Sequence, residues 1–91
     1  MSVEALLEDR GARYGHFERN ADLAQLLKGT VRNSPNWMLL NGVQRESFDM
    51  ILSKMARMLS GDHTYVDNAR DIVGYATLML QDMQARNEER Q

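Results

Sequence analysis

Four carboxylates at helical spacing carry the chemistry this sequence suggests most directly. Glu46 and Asp49 stand three residues apart, and Asp67 and Asp71 stand four apart, so each pair falls on one face of its own helix. On neighbouring helices the four acids would offer hard oxygen ligands of the kind Mg²⁺ takes while it keeps waters and grips phosphate oxygens. A metal held there would orient a polyphosphate and acidify an attacking water, which makes Glu46, Asp49, Asp67 and Asp71 both the metal ligands and the catalytic set. Lys54 and Arg57, one and two turns beyond Asp49, are placed to meet phosphate oxygens as charge builds on them.

Plainer roles stand beside these. Helical acids near Lys54 and Arg57 also make surface ion pairs worth about 0.3–0.5 kcal/mol each, and Asp67 suits the N-cap or first turn of a helix. Asp71 is set apart by its neighbours Gly74, Tyr75 and Leu78 on the same side. A solvated face carries Lys, Glu or Gln more often, and Gly within a helix costs about 1 kcal/mol relative to Ala. That side is therefore expected to be covered, by a ligand with Tyr75 in contact or by another subunit. Near the start, Arg13 reads equally as a phosphate ligand or a surface charge. Tyr14 is a candidate substrate contact, and with Phe17 it also reads as an anchor for the N-terminal segment.

The elements that must hold these residues have helical period. Ser2 is a fitting N-cap for a first helix over Val3 to Arg10, with Gly11 at its exit. Leu23, Ala24, Leu27 and Val31 mark a second helix from Phe17 to Val31, ended by Asn33-Ser34-Pro35-Asn36. Trp37 to Leu40 form an apolar plug for one end of the core. A third helix is expected over Val43 to Leu59 with Phe48, Ile51, Leu52, Met55, Met58 and Leu59 inward. The fourth runs from near Tyr65 to Ala85, with a core stripe of Ala69, Ile72, Val73, Ala76, Met79, Leu80 and Met83. These add up to an all-α fold, a small antiparallel bundle of about four helices. Residues 1–91 form one domain, divided into an N-terminal helix and turn (1–16), a helical core (17–85) and a frayed tail (86–91).

Composition removes several classes of function. Ninety-one residues make one small core. No cysteine is present, so disulfides, thiolate metal sites and a catalytic thiol are excluded. A net charge of -2, with acids interleaved among Arg10, Arg13 and Arg19, argues against direct duplex nucleic-acid binding. The sequence has no apolar run of membrane-spanning length and no signal-peptide layout, which points to a cytoplasmic protein. His16 and His63 lack ligand partners at zinc spacing. No phosphate-binding glycine loop is present, and Ser53 has no histidine at helical spacing. The seven methionines read first as core filler and second as a peptide-binding surface.

Three stretches together resemble a family of small proteins encoded mainly by phages and prophages. They are Asp9-Arg10 through Tyr14-Gly15-His16-Phe17, then Glu46 to Arg57 with Asp49, Met50, Ile51 and Lys54, then Asp67 to Ala76. That family is more distantly similar to the MazG-like all-α nucleoside triphosphate pyrophosphohydrolases. The resemblance implies a MazG-like bundle, a Mg²⁺-bound acidic cluster and cleavage between the α and β phosphates. The enzymes usually show E-x-x-E followed by E-x-x-D, whereas here the pairs read Glu46-x-x-Asp49 and Asp67-x-x-x-Asp71, and His16 stands where an Asp is usual. Two functions are expected from this: a Mg²⁺-dependent nucleotide-binding domain, catalytic or degenerate, or a small phage module that binds a host or phage protein. Both accommodate a homo-oligomer, because one small bundle offers only a shallow pocket.

Overall fold

The computed structural model describes residues 2–90, without the side chain of Tyr14. Helix α1 spans Val3–Tyr14 and begins where Ser2 Oγ accepts the Ala5 N–H at 3.0 Å, with Glu4 in the first turn. It passes through Gly11 and stops at Gly15. The reason is conformational: Gly15 takes φ 78° and ψ −168°, a region open essentially to glycine alone, and its N–H closes onto the Gly11 carbonyl at 2.9 Å. A Cβ at Gly15 would run into the Ser60 carbonyl. The same glycine thus lets the exit of α1 sit against the end of a later helix, where the Asp62 N–H donates to the Arg13 carbonyl at 2.7 Å.

Helix α2 spans Phe17–Arg32, a 3₁₀ turn covers Trp37–Leu39, α3 spans Gly42–Ser60 and α4 spans Val66–Arg90. No strand is present among the described residues. A capping box starts α3: Asn41 Oδ1 accepts from the Gln44 N–H at 2.9 Å, and Gln44 Oε1 accepts from the Asn41 N–H at 3.0 Å. The segment 86–90, expected as a tail, has helical geometry at the exposed end of α4.

Helix α3 is the centre of the fold, packed by α4 on one side and α2 on another, while α1 lies more lightly on α2 and α3. Two polar links set an antiparallel register between α3 and α4: Lys54 Nζ to Asp71 Oδ2 at 3.0 Å and, a few turns away, Asn41 Nδ2 to Asp82 Oδ2 at 3.1 Å. Arg32 ties α2 to α3 through Asp49 at 3.1 Å. One end of the layer is plugged by Trp37, which meets Phe48 edge-on at 6.3 Å with the Arg32 and Arg45 guanidiniums over its ring. Met38 and Leu39 are 78% exposed, so of the expected plug only buried Trp37 and half-buried Leu40 turn inward.

The core is smaller than the apolar pattern implies. Among the described residues only Ala24, Trp37 and Ala56 are buried apolar residues, beside buried Ser47, Lys54 and Asn68. Helix α4 meets α3 along Asn68, Ile72, Tyr75, Met79 and Asp82, all buried or half-buried. Val73, Leu80 and Met83 of the expected core stripe are exposed instead, as are Phe48, Met55 and Leu59 on α3. The physical cause is the pair of polar links, which turn Asp71 and Asp82 toward α3 and so swing Val73 and Leu80 onto the flank. The chain exposes 6733 Å², roughly 1,300 Å² more than the ~5,400 Å² expected of a compact monomer of this mass. Its radius of gyration is 15.7 Å, against about 12 Å for a compact domain of this length.

Candidate functional site

Three of the four acids expected to share a metal are held separately by cations. Asp49 accepts from Arg32 at 3.1 Å, Asp71 from Lys54 at 3.0 Å, and Asp67 from Arg70 at 3.1 Å and from the Tyr65 hydroxyl at 3.0 Å. Glu46 is exposed on α3. Among the described residues no three acidic, histidine or cysteine side chains converge as a group that could hold a metal ion. Arg32 uses only Oδ1 of Asp49 and Lys54 only Oδ2 of Asp71, so each of these carboxylates keeps a second oxygen beside its cation. Asp67 lies in the first turn of α4, where its charge is favoured by the helix dipole.

Lys54 is the most consequential of the expected phosphate ligands. It is only 8% exposed, so its ammonium is committed to Asp71 and not offered to solvent. A cation in so poorly hydrated a place is costly unless a carboxylate faces it. Arg13 is also engaged: its guanidinium donates to the Tyr65 hydroxyl at 2.7 Å, stacks over that ring at 4.8 Å and pairs with Asp9 at 3.5 Å. Tyr65 joins Arg13 to Asp67 and thereby α1 to α4. Accepting by Asp67 is the main reason the Tyr65 phenol titrates above its ordinary range, with some desolvation added.

Asp71, Gly74, Tyr75 and Leu78 do come together, as the lining of a shallow hollow on α4. Gly74 has no other group close to where a Cβ would sit, and Leu78 is exposed. Within one chain this side is open, so the cover expected from its composition would have to come from outside the chain. Tyr75 is half-buried toward α3. The expected contact at Tyr14 lies outside the described side chains.

Two features are absent from the pattern of acids. Arg10 from α1, Asn20 from α2 and Arg57 from α3 line a cavity of about 200 Å³, with Leu7 and Phe17 at its apolar side and no carboxylate in its lining. Of these only Arg57 stands out by its spacing, since Arg10 and Asn20 reach it through the turn at Gly15. The second is Asn68, 1% exposed, whose Nδ2 has no hydrogen-bond partner. Its place four residues before Ile72 on the α3-facing seam is the signal that marks it as interior. An amide there is a polar group buried at a cost that hydrogen bonding normally offsets.

Among the described residues no helix is long and apolar enough to cross a membrane. Compared with known proteins, the chain matches no family model, no curated protein and no solved structure.

Proposed function

We propose that this chain is a small helical interaction module, one that works by laying apolar helix surface against another protein. The observation that carries this reading is the balance of apolar surface: three buried apolar residues against sixteen exposed large ones among the described residues. Where such residues gather into a patch, the patch marks a surface that a partner covers. The exposed apolar residues outside the α3–α4 hairpin include Phe17 and Leu26, on opposite sides of α2, and Met38 in the 3₁₀ turn. A host or phage protein is the class of partner that the sequence resemblance suggests. Reconstitution tests it: a candidate captured on the immobilised protein is purified and titrated against wild type and a Phe17→Glu, Leu26→Glu variant. At least a tenfold loss of affinity in the variant supports the reading, and equal affinity overturns it.

A second reading, a MazG-like nucleotide-binding protein, is favoured by one observation. The cavity lined by Arg10, Asn20 and Arg57 lies beside the amino end of α2, where arginine forks and helix amides both suit phosphate oxygens. In this reading a nucleotide phosphate sits on the two arginines and a base packs on Leu7 or Phe17. Mg²⁺ held by Glu46, Asp49, Asp67 and Asp71, and with it pyrophosphohydrolase activity, would be added only if those acids converge on one ion. Calorimetric titration with dNTPs separates the versions. Loss of binding in Arg57→Ala without Mg²⁺ dependence fits the basic cavity, and loss in Asp71→Asn with Mg²⁺ dependence fits the metal site. No heat with any dNTP, with or without Mg²⁺, removes both.

A further inference from the structure

One long side of the α3–α4 hairpin has no covering element. Along α4, Val66, Ala69, Val73, Ala76, Leu80 and Met83 follow one another at alternating steps of three and four, a 3.5-residue period sustained over the helix. Such a period is the mark of a seam made to meet another helix, because a straight helix keeps it in register only by coiling about a partner. Val73 is 65% exposed and Leu80 54%, so inside the chain the seam has no such partner. On α3 the exposed apolar residues are Phe48, Met55 and Leu59. The antiparallel register fixed by Lys54–Asp71 and Asn41–Asp82 brings these level with Ala76, Ala69 and Val66. At 100° per residue, both stripes turn to the same side of the hairpin. The two helices therefore present one continuous apolar face.

We infer that a second copy of this chain covers that face, so that two α3–α4 hairpins pack into a four-helix arrangement across a two-fold axis. This inference rests on the reading of the chain as an interaction module and names one of its partners. Three observations select a second copy. Neither stripe contains an ionisable residue, so the face can meet itself without setting like charges opposite. The surface left over beyond that of a compact monomer, roughly 1,300 Å², is more than the ~800 Å² each partner gives to a standard interface. Helices α2 and α4 both pack on α3 and leave Met55, Leu59, Val73 and Leu80 of this side exposed, whereas stable domains bury such faces against a second layer. A copy of the chain supplies that layer in equal amount.

Sedimentation equilibrium on the full chain, from about 1 to 100 µM, tests this. Wild type is expected at twice its 10.5 kDa mass, and a Val73→Glu, Leu80→Glu variant at the monomer mass. Four glutamates brought into the dimer seam weaken association by roughly a hundredfold or more. Leu78→Glu, on the opposite flank of α4, leaves the dimer intact. Because the chain has no cysteine, Val73→Cys and Leu78→Cys provide a test that does not depend on charged variants folding. Maleimide labelling at position 73 is expected to slow as concentration rises, and labelling at 78 to stay fast. A monomeric wild type at 100 µM, an undiminished dimer in the double glutamate variant while its helical circular dichroism is kept, or equal labelling at the two cysteines overturns the inference. Foreign-partner binding is read independently through Phe17 and Leu26, so loss of the dimer and loss of the partner surface are distinct results.

Discussion

The two flanks of α4 differ in how far one chain satisfies them. On one flank Asp67 and Asp71 are each matched by a cation within about 3 Å, and Lys54 is buried to reach its partner. On the other, Val73 and Leu80 face no covering element. The difference teaches that residue type alone misplaces the demanding surface in this protein. Charges find partners within a turn or across one helix gap, so an acidic cluster in sequence is dispersed into local pairs. Apolar side chains need a whole opposing surface, and three helices in a layer cannot give one to both sides.

The sharpest way to break this contrast is to compare a plugged position with an open one. Trp37→Ala removes the ring held between Phe48 and two guanidiniums, and should cost about 3–5 kcal/mol in denaturant unfolding. Leu80→Gln, measured below the concentration at which chains associate, should move monomer stability by no more than about 0.5 kcal/mol. Equal losses at the two sites would mean that Leu80 is already packed within one chain.

The charged flank should show an asymmetry of its own. Asp71→Asn leaves the Lys54 ammonium buried and facing a neutral amide, which should cost roughly 1–3 kcal/mol. Lys54→Met removes the buried charge and leaves Asp71, about half exposed, free to hydrate. Its cost should be under about 1 kcal/mol, because a half-exposed carboxylate gains little from its pair. The reverse order, read from the same unfolding curves, would show that Asp71 and not Lys54 is the constrained partner.

How much of this was legible in the sequence differs along the chain. The stops of α2 and α3 were, because Pro35 and Ser60-Gly61 act through local backbone preferences that need no tertiary context. The end of α1 was not: Gly11 and Gly15 are equal as letters, and only the approach of the Ser60 carbonyl decides between them. The face of α4 was half legible. Its apolar residues span more than one helix side, and the side that turns inward is chosen by Lys54 and Asn41, partners distant in sequence. The cavity of Arg10, Asn20 and Arg57 was invisible for the same reason, since three separate helices bring its walls together.

Gly15→Ala sharpens the contrast at the joint between α1 and the hairpin. Alanine at this φ and ψ costs about 1–2 kcal/mol, and the Ser60 carbonyl must also give way. Hydrogen exchange should therefore quicken in α1 while the α3–α4 amides keep their protection. Uniform quickening would mean that α1 is needed for the hairpin, and would weaken the picture of α3–α4 as the self-sufficient half-bundle.

The smallest effects should come from pH, at the loop that joins the two flanks. Asp62 accepts from the Thr64 hydroxyl at 2.6 Å and from the Thr64 N–H at 2.9 Å, and these bonds hold its carboxyl below the usual value of 3.8. A depressed folded-state value means the unfolded chain binds the proton more readily, so the contribution of Asp62 is complete above 3.8 and is lost as pH falls through the lower folded value. Tyr65 has the opposite sign. Its raised folded value means its contribution is complete below about pH 10 and is lost as pH rises through the folded value. Asp62→Asn should therefore flatten only the acid limb of a stability profile, and Asp67→Asn should bring the Tyr65 ultraviolet titration back toward pH 10. Both groups lie at the surface, half-buried and within reach of solvent screening, so neither limb should approach the cost of Trp37→Ala. An acid limb that outweighed that substitution would place the dominant stabilising contacts on the charged flank.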